Sequence, residues 1–231
     1  ESEFDGQLRP VQGEAVRQVR EHAEGILCAP TAFGKTAVAA WLIAKRKVNA
    51  LVLVHRQQLL DQWRERLAMF LNIPVASIGQ IGGGKARRSG CVDVVVIQSL
   101  YQKEAVKDFV AEYGHVIVDE CHHISAFTFE QVMRQVKAKY VLGLTATPTR
   151  KDGHHPIIYM QCGPVRFNLS AKVMAETNPF EHRVIPRHTD FRMPPDLAEV
   201  TIQDVYGALS TDTSRNEMIA SDIALALNLG R

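Results

Sequence analysis

No two of the four cysteines stand close together: they fall at positions 28, 91, 121 and 162 of a 231-residue chain. That spacing excludes paired-cysteine zinc sites and offers no disulfide framework. Cys28, set inside an apolar run, reads as a core residue, and a reducing compartment fits best. No apolar run approaches the ~20 residues of a membrane-spanning helix, and the N-terminus carries no leader pattern. No membrane partner is therefore expected, and an intracellular, cytoplasmic location is. The chain also lacks a strong charge of either sign. At a net +2, any nucleic-acid partner must be met by a local patch rather than by the protein as a whole. Repeats and low-complexity tracts are absent, and Glu1-Ser2-Glu3-Phe4 opens without methionine, as an excised piece or a cloning remnant would. What is plentiful is apolar content. With 46% hydrophobic residues against 23% charged, the chain can bury a substantial core.

The most informative stretch is Gly25 to Thr36, GILCAPTAFGKT. A short apolar run, Ile26 to Ala29, precedes a turn with Pro30, Thr31, Ala32, Phe33 and Gly34; Lys35-Thr36 then opens a helix-like run, Ala37 to Arg46. Strand, turn and helix with Gly-Lys-Thr at the helix mouth is the setting of a phosphate-binding loop. Backbone N–H groups converge there on an anion, and the helix N-terminus adds its positive dipole end. Lys35 would add a full charge for the β- and γ-phosphates of ATP, and the Thr36 hydroxyl a ligand for Mg²⁺. Two residues depart from the pattern: Ala29 takes the first glycine position, and Ala32 would resist a positive φ. The alternative is an ordinary strand-to-helix turn that contains the same three residues.

Further apolar runs cover Ala50–Val54, Asp93–Ile97, Val116–Val118 and Tyr140–Leu144, separated by helical segments that include 9–22, 56–71 and 127–137. Strands apolar along their whole length belong to a parallel sheet covered on both faces, which predicts a doubly wound α/β fold. Functional residues then gather at the C-terminal strand ends. Lys35-Thr36, His55-Arg56, Gln98-Ser99, Asp119-Glu120 and Thr145-Ala146-Thr147 each follow a predicted strand. The rhythm changes beyond Gly153: 154–168 reads as loop and short strand, Glu181 to Met193 as an extended segment, and Arg215 to Leu229 as a helix with one apolar face that calls for a partner surface. Two parts are expected, 1–180 as the ATP-binding domain and 181–231 as a linker with the start of another domain.

Asp119 can hold the hydration shell of Mg²⁺, and Glu120 can orient and deprotonate an attacking water. The alternative is a surface turn. Cys121, His122 and His123 suggest a metal, but adjacent residues do not readily converge on one ion, and His154-His155 could join only across the fold. His122 reads better as a coupling residue to the Thr145 region.

In order, Leu8-Arg9-Pro10-Val11-Gln12, APTAFGKT, LVLVHRQQLLDQW (51–63), VVVIQSL (94–100), Asp119-Glu120-Cys121-His122 and Leu144-Thr145-Ala146-Thr147-Pro148 resemble a superfamily 2 helicase or translocase over about residues 8–153. The His in the box is similar to the DExH branch; GQIGGGK (79–85), IQSL and GLTATPTRKDG are similar to the XPB-type and type III restriction-subunit branch. The resemblance implies a RecA-like P-loop NTPase domain that hydrolyses ATP with Mg²⁺. It implies that Gln12 and Arg9 read adenine, and that Thr145 and Thr147 link hydrolysis to movement on the track. It implies nucleic-acid contacts by Arg56, by Gln98 and Ser99, and by Gly82, Gly83, Gly84 and Lys85, which read as an open glycine-rich loop, with Arg87 and Arg88 adding charge. Arg150-Lys151-Asp152 stand where XPB-type proteins carry Arg-Glu-Asp, with a different sequence. The family's remaining motifs, including the arginines that complete the ATP site, lie in a second RecA-like domain, so this chain resembles the first half of a motor on DNA or RNA. A regulatory nucleotide- and nucleic-acid-binding module, or a P-loop kinase in which Asp119 serves a small acceptor, are the alternatives at this point.

Overall fold

In a computed structural model the described residues are 3–102, 105–123, 126–147, 156–176, 184–192 and 200–230. Pro148, the Arg150-Lys151-Asp152 element and the His154-His155 pair lie outside them. The chain divides into two compact units, Glu1–Asn178 and Pro179–Arg231.

In the first unit the elements run α1 (Pro10–Arg20), β1 (Glu24–Cys28), α2 (Lys35–Arg46), β2 (Ala50–Val54), α3 (Gln57–Leu71), β3 (Gly79–Gly82), β4 (Lys85–Arg87) and β5 (Val92–Val96). There follow β6 (Tyr101–Gln102), β7 (Ala105–Val106), β8 (His115–Val118), α4 (Ala126–Gln135), β9 (Tyr140–Thr145), α5 (Pro156–Cys162), β10 (Val165–Asn168) and α6 (Ala171–Glu176). Eight strands form one sheet in the order β10-β1-β9-β8-β2-β5-β3-β4. Every neighbouring pair is parallel except β3 with β4.

The apolar strands explain the layering. Successive side chains of a strand point to opposite faces, so a strand buried on both must be apolar throughout. In β2, Ala50, Val52 and Val54 join a core with α1, α2 and α3, where Val19, Leu42, Leu60 and Trp63 lie. Leu51 and Leu53 join the opposite core with Phe129 and Val132 of α4 and Ile158 of α5. The α/β sheet with helices on both faces is the expected fold.

Three local features differ from the sequence expectation. Gly82 to Lys85 is a tight turn rather than an open loop: β3 is buried beside β5, and β4 folds back antiparallel through Gly83 (φ 58°) and Gly84 (φ 77°). Two consecutive residues of positive φ make the two-residue turn that matches strand twist, which glycines supply without strain. The exposed Lys85-Ala86-Arg87 edge carries charges that discourage edge pairing. The stretch 154–168 contains a helix, α5, begun by Pro156, a residue favoured in a first helical turn. Residues 97–99, read partly as strand, form a 3₁₀ turn.

In the second unit, 184–192 carries no regular element, and α7 (Ile202–Thr211) and α8 (Thr213–Asn228) follow. Thr201 and Asp204 cap α7 reciprocally, and Asp212 caps α8 through the Arg215 N–H at 2.7 Å. Ile219, Ile223 and Leu227, which share one face of α8, are exposed. No helix among the described residues is long and apolar enough to cross a membrane.

Candidate nucleotide site and strand-end rim

After β1, Ala29 is fully buried, and its N–H donates to Thr145 O at 2.9 Å. The close contact accepts a methyl group where the common motif has glycine. Thr31 to Phe33 form a 3₁₀ turn, with Phe33 turned inward, its ring centroid 5.7 Å from that of Phe167. Ala32 needs no positive φ, because Gly34 (φ 82°, ψ 44°) takes the left-handed position before α2. Pro30 begins the turn, Thr31 and Ala32 are exposed, and Lys35 and Thr36 are buried in the first turn of α2.

Arg9 and Gln12 sit beneath this loop. Gln12 Nε2 donates to Phe33 O at 2.8 Å, and its Oε1 accepts the Arg9 N–H at 2.8 Å. The Arg9 guanidinium donates to the Phe33 carbonyl as well, and to Ala32 O at 3.3 Å. Both ends of the Gln12 amide are thus engaged in bracing the loop, and pairing with a base would require their release.

Lys35 Nζ donates to Ala29 O at 3.0 Å and lies 3.3 Å from Glu120 Oε1. Asp119 and Glu120 follow β8, where Asp119 N donates to Leu53 O at 2.9 Å. Glu120 adopts φ 44°, a conformation uncommon outside glycine that places its carboxylate back over the loop lysine. Among the described residues its buried Oε2 has no hydrogen-bond partner, and His122 Nδ1 lies 3.4 Å away. Burial pushes the Asp119 carboxyl above its ordinary range, and a hydrogen bond from Trp63 opposes this. Thr145 Oγ1 is 2.7 Å from His122 Nδ1, donates to Thr147 O at 2.5 Å and accepts Thr147 N–H at 3.1 Å. The residues expected to couple are therefore joined in one chain of contacts from Glu120 to Thr147.

Thr31, Gly34, Lys35, Thr36, Asp119 and Glu120 line a common cavity of about 200 Å³, closed by Leu59, Gln62, Trp63 and Arg66 of α3. Nothing in the sequence pattern by itself gives these α3 residues a role in the site. Trp63 falls in helical register with Leu60 and Leu67 and so reads as core; only the fold shows that its N–H reaches Asp119. A larger cavity of about 430 Å³, lined by Ile43, Val48, Ile73 and Val92 among others, lies at the N-terminal ends of β2 and β5, away from these residues.

The rim candidates divide. Arg56 is exposed at the N-cap of α3. A Cβ on Gly83 would come within 2.7 Å of Gln57, so the β3–β4 turn with Gly83, Gly84 and Lys85 meets the start of the same helix. Gln98 and Ser99 follow β5, the strand between β2 and β3. Arg87 and Arg88 are committed elsewhere: Arg87 donates to Ile78 O at 3.0 Å, and Arg88 pairs with Glu112 and lies 4.4 Å from the Phe109 ring centroid.

Residues 5–150 match the family described as type III restriction enzyme, res subunit. The chain is 32% identical over 169 residues to the DNA 3'-5' translocase XPB2 of Sulfurisphaera tokodaii, covering 73% of this chain and 37% of that protein. It is 30% identical over 167 residues to the DNA 3'-5' helicase XPB of Kineococcus radiotolerans, covering 70% and 30%. Its match thus spans about a third of these relatives' lengths. Among solved structures, the UvsW helicase from bacteriophage T4 superposes with a TM-score of 0.62 at 19% identity, over 71% of this chain and 63% of that one. The Sulfolobus solfataricus SWI2/SNF2 ATPase core in complex with dsDNA gives 0.56 at 16% identity, over 70% and 37%. The fold is that of the RecA-like helicase domains, and the chain belongs to the res-subunit family, in the XPB-like branch of the superfamily 2 helicases.

Proposed function

We propose that this chain is the first, ATP-binding RecA-like domain of an ATP-dependent DNA helicase or translocase of restriction, defence or repair type. The observation that carries the reading is the meeting of two distant strand ends around one cavity, with Lys35 3.3 Å from Glu120. A cavity of about 200 Å³ accommodates a phosphate chain better than a whole nucleotide, in keeping with a site that a second domain completes. DNA as the track rests on the activities named for the relatives, and those proteins are longer than the matched region.

The loop N–H groups and the start of α2 bind the phosphates, and Lys35 moves from Glu120 to the γ-phosphate as its new anion. Thr36 and Asp119 supply hard oxygen donors, a hydroxyl and a carboxylate beside that cavity, which suit Mg²⁺ with phosphates and water completing its shell. Mg²⁺ when bound neutralises charge on the transferring phosphoryl group. Glu120, released from Lys35, orients water and takes its proton; its buried Oε2, without a hydrogen-bond partner among the described residues, is suited to accept one. Arg9 and Gln12 hold the loop and face the adenine side. His122, Thr145 and Thr147 pass the state of Glu120 to the rim, where Arg56, Gln98, Ser99, Gly83, Gly84 and Lys85 hold the nucleic-acid backbone. Residues 181–231 are the linker and the start of the second RecA-like domain.

Arginines from that second domain are absent from residues 1–180, and an arginine finger is worth about 10³–10⁵ in rate in the GTPase systems where it is known. The chain alone is therefore expected to bind Mg·ATP weakly and to turn it over very slowly. Steady-state ATPase of residues 1–231, with and without DNA, beside a longer protein containing both domains tests this. Turnover by the fragment equal to that of the longer protein sinks the half-motor reading. In the longer protein, Glu120→Gln should abolish DNA-stimulated hydrolysis and retain Mg·ATP binding; unchanged turnover would remove Glu120 as the base.

A further inference from the structure

Asp119 has one side-chain donor among the described contacts. Trp63 Nε1, on α3, donates to Asp119 Oδ2 at 2.6 Å. The two groups are 4% and 7% exposed, so bulk water has little access to compete for this bond. An indole N–H donates and never accepts, so it can serve only a lone pair of the carboxylate. The ring itself is wedged into the core that holds Leu60, Leu67 and Val54, and cannot swing away without opening that core. The backbone of Asp119 is held separately, by its N–H to Leu53 O at 2.9 Å. The sheet thus holds the backbone and the indole holds Oδ2, and the Glu120 N–H also bonds the Asp119 carboxylate.

We propose that Trp63 is a positioning residue for Asp119, committing Oδ2 to the indole so that the second oxygen is presented to Mg²⁺. This rests on the reading of Asp119 as a metal-side residue. The inference assigns a functional contact to a residue whose register reads only as core. It also links the helix that Arg56 precedes as N-cap directly to the metal side of the site, about two turns further along.

Trp63→Phe keeps an aromatic ring in the core and removes the donor. A second variant, with benzothienylalanine at 63, keeps the bicyclic shape and replaces only the N–H by sulfur. Affinity for a fluorescent, non-hydrolysable ATP analogue is titrated against Mg²⁺ for both, for Asp119→Asn and for the parent chain, with EDTA controls and thermal unfolding alongside. The expected result is that both Trp63 variants need about ten- to hundredfold more Mg²⁺ for the metal-dependent tightening. The benzothienylalanine variant, which keeps the shape of the ring, should melt as the parent does, whereas Trp63→Phe leaves part of the indole's space empty and should melt lower, so the Mg²⁺ dependence of each variant is compared with its own affinity in EDTA. Parent-like Mg²⁺ dependence in the benzothienylalanine variant overturns the proposal. So does a loss of EDTA affinity and of melting temperature without a separate Mg²⁺ effect, which marks Trp63 as packing alone. A parent-like Mg²⁺ dependence in Asp119→Asn refutes instead the metal reading of Asp119, and is distinguishable because it does not involve Trp63.

Discussion

Gly34→Ala tests the loop geometry most directly, because its cost is set by two separable features. The residue sits at φ 82°, where an L side chain costs roughly 1–2 kcal/mol, offset by about 0.4–1 kcal/mol from the reduced freedom of the unfolded chain. An added Cβ would also stand 2.6 Å from Gln12 Nε2, closer than real Cβ atoms come to any atom. Gln12 must then give up its 2.8 Å bond to Phe33 O, worth about 0.5–1.5 kcal/mol, while Arg9 still serves that carbonyl. The sum is a destabilisation of about 0.5–3 kcal/mol, with a fall in nucleotide affinity if the loop shifts instead. Both tryptophans, Trp41 and Trp63, lie in the first unit, so urea unfolding followed by their fluorescence reports on it. Gln12→Ala alone and combined with Gly34→Ala complete a double-mutant cycle. With the amide removed, the clash disappears, and Gly34→Ala should cost only the backbone share. Strict additivity would refute the clash, and a Gly34→Ala protein within about 0.5 kcal/mol of the parent with unchanged nucleotide affinity would refute the loop conformation.

Lys35→Ala removes the cation between Ala29 O and Glu120 and should weaken Mg·ATP binding by roughly ten- to hundredfold, read by titration with a fluorescent analogue; equal affinities would take Lys35 out of the site. His115 is fully buried, with Arg46 Nη1 2.8 Å from its Nε2, and burial and that cation hold its pKa well below the ordinary value. The unfolded chain therefore takes the proton first: the stability this residue contributes is complete above pH ~6.5 and is lost, by up to about 1.4 kcal/mol per pH unit, as pH falls toward the folded pKa. His115→Gln keeps an acceptor for Arg46 and should flatten the fall in urea stability between pH 7 and pH 5; parent-like acid sensitivity in this variant would clear His115 of the effect.

The amino-acid sequence alone determined the class of fold, because the strands of this sheet are apolar on both faces and that property is local. Ala50–Val54 can be buried no other way than between two helical layers, and the polar pairs that follow such strands mark the rim that a parallel sheet gathers. The loop from Pro30 to Thr36 was legible for the same reason: a glycine, a lysine and a threonine at a strand-to-helix turn carry their geometry with them. The β3–β4 turn was not, since Gly82 to Gly84 reads as open loop until the free edge of β5 is there to accept a strand. α5 was hidden too, in a short segment without a full amphipathic period. The decisive contacts of the site also waited for the tertiary structure. Gln12 under Phe33, Glu120 against Lys35 and Trp63 on Asp119 join residues far apart in the chain. Whether Trp63 is only a core side chain or also the donor that orients a carboxylate depends on the sheet order that lays β2 and its following helix beside β8. No local propensity encodes that order; it is settled by packing two apolar faces at once.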